Sequence, residues 1–234
     1  MLEKTKKVLD KLSKDKLFAN NDIRFVGGTA LSYYINHRLS EDLDFATIDL
    51  NKELIDTAML SYGATKIEHN NNMTDSATND GFNLEDSYIV YMLDDVKVDF
   101  FEPPFNLFEE KVWKDDKFTK YNNTELKVMS LDGVIYLKMM AFWNRKKYRD
   151  IYDIYFILEN KISTTNKLLT KYIEYNISYT KKDLVDKISS KNEFYEKYGD
   201  EGINTLVQNP NPYEWYRNKI EEFFYDSYLE DLYK

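Results

Sequence analysis

Apolar residues in the first half of the chain follow strand and helix patterns in alternation. Leu2, Val8, Leu9 and Leu12 recur at helical spacing, which predicts an opening amphipathic helix over residues 2–18. The elements predicted after it are a strand over 23–26, a helix over about 29–37, a strand over 41–46 and a helix over 51–61. This alternation indicates an α/β organisation for this part of the chain.

A β-hairpin is predicted later in the same half. Residues 87–93 and 96–101 are two strand-like runs separated by Asp94-Asp95, which is the spacing of a two-residue hairpin turn. The other features predicted here are an end to the second strand at Pro103-Pro104, a last edge strand over 126–128 and a loop in the Asn-rich residues 70–80.

The apolar spacing becomes helical from Leu131 onward. The predicted helices cover about 131–146, 149–160, 164–175, 181–189 and 213–230. This change divides the chain into two predicted domains, over 1–128 and 129–234. The predicted fold class is an α/β (α+β) domain with a small mixed sheet, followed by an all-helical bundle domain.

The composition restricts the chemistry that the chain can perform. The 234 residues are enough to bury a core, and they contain no cysteine, which excludes disulfides and thiolate chemistry. Only two histidines are present, which excludes a His-rich metal centre. A metal ion must therefore be held by carboxylates, which favours Mg²⁺ or Mn²⁺.

Charge and hydropathy restrict the partners and the location. The formal net charge of -9 argues against a general nucleic-acid coat protein but leaves room for a local basic groove. No apolar run approaches the roughly 20 residues of a membrane span, and the N-terminal residues contain no signal-peptide core. We therefore expect a cytoplasmic protein without a membrane partner.

The candidate chemistry begins at Gly27-Gly28, between a predicted strand and a predicted helix. Glycines at this point let the backbone approach a phosphate closely, and the helix offers its first N–H groups to an anion. Asp42 and Asp44 are two residues apart in the next strand, so they share one face. Adjacent carboxylates are costly unless a cation neutralises them, which predicts that both bind metal.

Asp99 is the candidate third carboxylate. Strand alternation places Lys97 and Asp99 on one face and Val98 on the other. A carboxylate here would hold a second metal ion and accept the proton of an acceptor hydroxyl. Two ions about 3.5–4 Å apart would then clamp the attacking and leaving oxygens of an in-line displacement.

Four motifs in this order carry a resemblance to a known family. They are Gly27-Gly28-Thr29-Ala30-Leu31 with Arg38-x-Ser40-x-Asp42-x-Asp44-Phe45, then Lys97-x-Asp99, Lys138-x-x-Ala141-x-x-x-Arg145, and Arg149-Asp150-x-x-Asp153. Together they resemble the AbiEii/AbiGii toxin family, a branch of the polymerase-beta-like nucleotidyltransferases. The resemblance covers roughly residues 20–160.

The resemblance implies the substrates and several residue roles. It implies an NTP substrate, Mg²⁺, and a toxin or abortive-infection role, and some family members add nucleotides to the tRNA 3′ end. By position, Asp42 and Asp44 correspond to the metal carboxylates, Lys138 to a nucleotide-phosphate lysine and Asp153 to an essential late aspartate. Many relatives have Gly-Ser where this chain has Gly27-Gly28, and Thr29 is the candidate for the missing hydroxyl.

Other residues are nucleotide-binding candidates with a structural alternative. Arg38 and Ser40 would contact the nucleotide or brace the loop that contains them. The basic run that includes Arg145 and Arg149 would hold triphosphate or an RNA backbone, or form a solvated face.

The catalytic candidates also have structural alternatives. Asp42 and Asp44 would otherwise be solvated strand residues, and Asp99 an acid near a strand end. Lys138 would otherwise extend along an apolar helix face. By family position Asp153 is catalytic or orients Lys138, and Asp150 or Asp153 would otherwise form an ion pair with Arg149 or Arg145.

The sequence therefore predicts a Mg²⁺-dependent nucleotidyltransferase that moves NMP from an NTP onto an acceptor, with tRNA-like RNA as the candidate acceptor. The alternatives are nucleotidylation of a partner protein and, without catalysis, a nucleotide-binding interaction module. A cognate antitoxin is a possible further partner.

Overall fold

A computed structural model describes residues 1–68, 87–103, 110–145, 147–175, 178–189 and 202–232. The predicted Asn-rich loop over 70–80, Pro104 and Lys146 of the basic run lie outside the described residues. The chain divides into two compact units, Met1–Val134 and Ile135–Lys234. The predicted division after residue 128 falls shortly before this boundary.

The first unit combines helices and short strands. Its elements are α1 (Glu3–Leu12), α2 (Lys16–Asn20), β1 (Arg24–Val26), α3 (Gly27–Ile35), β2 (Leu43–Ala46), α4 (Lys52–Ser61), β3 (Thr65–Ile67), β4 (Tyr88–Leu93), β5 (Val96–Phe101), α5 (Glu110–Asp115), β6 (Thr119–Lys120) and β7 (Lys127–Val128). The single opening helix predicted over 2–18 is two helices, because Asp15 accepts a hydrogen bond from Leu17 N and caps a new start.

Seven strands form one mixed sheet in the order β3-β4-β5-β2-β1-β7-β6. β2 pairs with β1 antiparallel and with β5 parallel, so it lies at the centre. β4 and β5 form the predicted hairpin, and its turn residues Asp94 and Asp95 have φ values of 49° and 59°, as a type I′ turn requires. The predicted small mixed sheet is confirmed.

One face of the central strands is aromatic and fully buried. Phe45 of β2 stacks on Phe100 of β5 with ring centroids 5.1 Å apart, and Phe25 of β1 lies 5.8 Å from Phe45. Phe18 of α2 covers the same face at 5.1 Å from Phe45. Because side chains alternate along a strand, Asp44 and Asp99 point to the opposite face.

Two strand predictions need correction. The strand predicted over 41–46 begins at Leu43, because β1 ends at Val26 opposite Asp44 and the Asp42 carbonyl accepts a side-chain hydrogen bond instead. The strand predicted at 126–128 is not an edge, since β7 pairs with β1 on one side and β6 on the other.

The second unit is helical, as predicted. Its elements are α6 (Leu131–Arg145, which begins in the first unit), α7 (Tyr148–Glu159), α8 (Thr165–Tyr175), α9 (Lys181–Ser189), α10 (Ile203–Leu206) and α11 (Tyr213–Leu232). α7 and α11 pack through edge-on tyrosine pairs, such as Tyr152 and Tyr216 with ring centroids 5.3 Å apart. Among the helices of the described ranges, none combines the length and apolar character of a membrane span.

Candidate active site

The acidic residues of the first unit lie on neighbouring central strands. Asp44 of β2 is directly opposite Asp99 of β5 in the parallel pairing and opposite Val26 of β1 in the antiparallel pairing. Asp42 immediately precedes β2. Asp42 and Asp44 are half-buried, whereas Asp99 is buried. The sheet therefore brings the predicted carboxylates to one region.

The backbone at Gly27 lies close to the carboxylate of Asp44. It has a φ of +75°, and a Cβ added to it would lie 2.6 Å from the carboxyl carbon of Asp44. Any side chain at Gly27 would therefore displace the Asp44 carboxylate, and the left-handed φ would be strained as well. The start of α3 and Asp44 thus form one compact arrangement that requires glycine.

Thr29 and Ser40 brace the segment that leads into Asp42. Both are buried, and their hydroxyl oxygens are 2.7 Å apart. The Thr29 hydroxyl also donates to the Asp42 carbonyl. These contacts support the bracing alternative for Ser40, while the nucleotide contacts predicted for both residues stay predictions.

Arg38 is buried against the second glycine. A Cβ on Gly28 would lie 2.7 Å from Arg38 Nη2, and Arg38 Nη1 donates to the Leu39 carbonyl at 2.9 Å. Ser32 Oγ donates to the Arg38 carbonyl at 3.0 Å. The guanidinium therefore places a fixed positive charge beside Gly28, and its predicted nucleotide contact stays a prediction.

Asp99 is held by two neighbours on the hairpin. Its Oδ2 accepts from Lys97 Nζ at 2.5 Å and from the Tyr88 hydroxyl at 2.9 Å. Burial raises the pKa of Asp99, and nearby Asp42 adds to this, although Lys97 and Tyr88 act in the opposite direction. Burial would lower the pKa of Lys97, but Asp99 and Tyr88 reverse this and raise it.

The carboxylates fit a Mg²⁺ ion that is shared with a nucleotide. Asp99 Oδ1 is buried and accepts no hydrogen bond from the described residues, so one oxygen remains for a ligand. Across the described part of the chain, no three His, Cys, Asp or Glu side chains form a ready-made metal cage. Mg²⁺ is usually bound by one or two carboxylates together with substrate phosphates and water.

Lys138 of α6 lies in the second unit and is buried between two carboxylates of α7. Its Nζ is 2.9 Å from Asp150 Oδ1 and 2.9 Å from Asp153 Oδ2. The side chains of Lys138, Asp150 and Asp153 are 7%, 2% and 0% exposed, so the lysine does not extend to solvent as a surface lysine would. Asp153 therefore forms an ion pair with Lys138, and both its predicted role in catalysis or in orienting Lys138 and the predicted phosphate contact of Lys138 stay predictions.

The basic run between α6 and α7 is described only in part. Arg145 ends α6, but its side chain is outside the described part, whereas Lys147 and Arg149 are half-buried. The roles of Arg145 and Arg149 in nucleotide binding stay predictions.

Tyr88 was not predicted as a neighbour of Asp99, although its hydroxyl donates to that carboxylate. The two-residue turn fixes the hairpin register, which pairs Val90 with Asp99 and Tyr88 with Phe101. Tyr88 is therefore a diagonal neighbour of Asp99 on the same face, within reach of a long side chain. Counting back from the turn would have found it.

Comparison with known proteins agrees with this architecture. MenT4, a nucleotidyltransferase toxin from Mycobacterium tuberculosis H37Rv, has a TM-score of 0.54 at 13% identity, covering 95% of this chain and 84% of that chain. JHP933 from Helicobacter pylori has a TM-score of 0.51 at 14% identity, covering 100% of each chain. At these identities the likeness shows that the fold is that of a nucleotidyltransferase.

Sequence comparison identifies the family. The uncharacterised protein aq_aa25 of Aquifex aeolicus (strain VF5) is 26% identical over 208 residues, which are 87% of this chain and 85% of that protein. The family model for the nucleotidyl transferase AbiEii toxin of type IV toxin–antitoxin systems matches residues 10–216. The chain therefore belongs to the AbiEii family of nucleotidyltransferase toxins.

Proposed function

We propose that this protein transfers NMP from an NTP to an RNA acceptor of the tRNA kind, with Mg²⁺ held by Asp42 and Asp44. The observation that carries the proposal is the contact between Gly27 and Asp44. This contact places the Asp44 carboxylate, which we propose binds metal, against the glycine backbone at the start of α3. Phosphates bind well at the start of a helix. A triphosphate at Gly27-Gly28 would thus meet the metal carboxylates directly.

Each residue of the site would have a separate role in the reaction. Arg38, fixed beside Gly28, would stabilise phosphate charge, and Thr29 would hold the Asp42 backbone in place. Asp99 would accept the proton of the attacking hydroxyl, since burial raises its pKa and makes the carboxylate a better base. When bound, Mg²⁺ would neutralise the charge that develops on the phosphoryl oxygens.

Catalysis in this scheme comes from positioning and charge neutralisation. The acceptor hydroxyl forms a bond to the α-phosphorus as the bond to the bridging oxygen breaks, and pyrophosphate leaves. The family resemblance assigns Lys138 to the nucleotide phosphates, and the basic run with Arg145 and Arg149 would hold triphosphate or the RNA backbone. A cognate antitoxin is proposed from the family's toxin–antitoxin description.

A transfer assay tests the proposal. Each of the four α-³²P-labelled NTPs would be incubated with the protein, Mg²⁺ and either total RNA or total cellular protein. We expect label on RNA of tRNA size, with a requirement for divalent metal that EDTA removes. Label only on protein would replace the proposal with protein nucleotidylation, and label on neither would reject both.

A further inference from the structure

Lysines form a stripe along the exposed face of α1 and the turn after it, on an otherwise acidic protein. Lys4, Lys7 and Lys11 of α1 and Lys14 of the turn follow one another at three- and four-residue spacing, and all four are exposed. Residues three and four apart share one side of a helix, and Lys4 to Lys11 span about 10 Å along its axis. Residues 1–16 contain six lysines and three acids, whereas the whole chain has a net charge of -9.

Two of the three acids in this segment are used inside the fold. Asp10 accepts a hydrogen bond from the Tyr121 hydroxyl at 2.7 Å. Asp15 accepts from the Leu17 backbone N–H at 2.7 Å and from the Tyr62 hydroxyl at 2.9 Å. The carboxylates of Asp10 and Asp15 are therefore already hydrogen-bonded within the fold, although Lys11 Nζ also lies over the Tyr62 ring, 5.4 Å from its centroid.

The lysines of the stripe are only weakly engaged. Lys11 Nζ is 3.4 Å from Asp94, both side chains being largely exposed, and Lys4 Nζ donates to the Asp95 carbonyl at 2.8 Å. Lys7 and Lys14 form no ion pair with any residue that the structure describes. Exposed pairs of this kind contribute little, so a polyanion could replace them.

The stripe begins beside the carboxylate site. Leu2 N donates to the Ser40 carbonyl at 3.0 Å, and Thr5 Oγ1 donates to the Glu41 carbonyl at 2.9 Å. Ser40 and Glu41 lead directly into Asp42. A strand of phosphates that follows α1 would therefore reach the edge of the site where NMP transfer is proposed.

The other face of α1 restricts the class of partner. Val8, Leu9 and Leu12 are at most 2% exposed, so the helix has no free apolar face to insert into a bilayer. The exposed surface of the helix is a row of flexible lysine side chains, which suits binding to a phosphate backbone.

We propose that the lysine stripe formed by Lys4, Lys7 and Lys11 of α1 and Lys14 of the following turn binds the phosphate backbone of the RNA acceptor and guides its end toward Asp42. This inference rests on the proposed function for the identity of the polyanion. It adds a binding surface in the first unit to the basic run of residues 145–149.

Fluorescence anisotropy of 5′-labelled unfractionated tRNA tests the stripe directly. The variant is Lys7→Gln/Lys11→Gln/Lys14→Gln, and the matched control is Lys111→Gln/Lys114→Gln/Lys117→Gln. The control lysines are exposed in and after α5, which contacts Arg24, and Arg24 pairs with Ala46 at the opposite end of β2 from Asp42. Both variants remove the same charge from the same unit.

We expect the stripe variant to bind tRNA at least about tenfold more weakly at 50 mM salt, with a log–log salt slope reduced by about 2. The control should match the wild type. A stripe variant with wild-type affinity and slope overturns the proposal, as does a wild type that binds phosphatidylserine vesicles but not tRNA. Lys7→Gln/Lys14→Gln should show a smaller loss, and because it keeps the Lys11–Asp94 pair and removes no ion pair among the described residues, that loss does not come from breaking a contact of the fold.

The transfer assay separates this inference from the proposed function. If the wild type binds tRNA through the stripe but labels no RNA, the proposed function is rejected and the binding surface is retained. If the wild type and the stripe variant label RNA equally at low RNA concentration, the proposed function is retained and the role of the stripe is rejected.

Discussion

The two units each gather charged side chains from family motifs, but they bury them to different degrees. In the second unit, Lys138 lies between Asp150 and Asp153, each 2.9 Å away, and all three side chains are buried. In the first unit, Asp42 and Asp44 are half-buried, Asp44 lies opposite Asp99 in the β2–β5 pairing, and Asp99 accepts a hydrogen bond from Lys97.

The difference in burial separates a structural cluster from one that a ligand can reach. Lys138 is buried between two carboxylates, so breaking these ion pairs is costly. Asp42 and Asp44 are partly exposed, so a metal ion and a nucleotide can reach them, as the proposed function requires. We therefore expect substitutions in the first cluster to affect chemistry and substitutions in the second cluster to affect stability.

The largest effect is expected at the metal carboxylates. Asp44→Asn should reduce NMP transfer by about a thousandfold or more, because the lost charge acts directly on the phosphoryl group. Its free energy of unfolding without metal should not fall, since the substitution relieves repulsion. Asp42→Asn should behave alike. Near-normal transfer by both variants in the ³²P assay would contradict the metal assignment.

Lys138→Met should act mainly on stability. It leaves Asp150 and Asp153 buried without their cation, which costs about 3–5 kcal/mol of unfolding free energy. Urea denaturation followed by tryptophan fluorescence measures this, and Lys138→Arg, which keeps the charge, should lose less. If the Lys138→Met protein has wild-type stability but binds NTP more weakly by calorimetry, Lys138 acts in nucleotide binding and not in stability.

Thr29→Val tests how the acids of the first unit are positioned. The change keeps the shape but removes the donor to the Asp42 carbonyl and the contact with Ser40. The free energy of unfolding should fall by about 1–3 kcal/mol, the cost of buried groups left without partners. Steady-state kinetics should show a lower kcat with little change in the KM for NTP, whereas a raised KM alone would indicate a phosphate contact instead.

Asp22 is a compensated acid in the first unit and should behave like the Lys138 cluster. Burial would raise the pKa of Asp22, but hydrogen bonds from Arg24, Lys127 and Trp113 lower it to about 2 from 3.8. Since the pKa is lower in the folded state, the ionised carboxylate adds stability above about pH 4, and this is lost as the pH falls toward 2.

Asp22→Asn should therefore cost about 1 kcal/mol near neutral pH, a modest value because the Asp22 side chain is partly exposed. Denaturation at several pH values should show the difference from wild type shrinking between about pH 4 and pH 2. A difference that did not change with pH would mean that the charge of Asp22 is not the source of its effect.

Local patterns were enough to predict much of the fold. The hairpin followed from Asp94-Asp95 between two strand-like runs, and five helices after residue 130 followed from apolar spacing. The short strands β3 and β6 were missed, since two or three residues carry no periodicity and pairing with β4 and β7 defines them. Because β6 pairs with β7, the edge strand is β6 and not β7 as predicted.

The candidate site was predictable where strand alternation or motif order fixed it. The contact between Lys97 and Asp99 follows from alternation along β5, whereas the register that sets Asp44 opposite Asp99 comes from the pairing of β2 with β5. The burial of Lys138 did not follow, because it depends on α7 packing beside α6 and bringing Asp150 and Asp153 to the same nitrogen.

Metal binding measured with Mn²⁺ is the most direct test of the central claim. Electron paramagnetic resonance would count free Mn²⁺ during titration of the protein in the presence of a non-hydrolysable NTP analogue. We expect wild-type protein to bind Mn²⁺ together with the analogue, and Asp42→Asn/Asp44→Asn to weaken this binding at least about tenfold. Equal Mn²⁺ binding by the wild type and the double variant would contradict the assignment of the metal ion to Asp42 and Asp44.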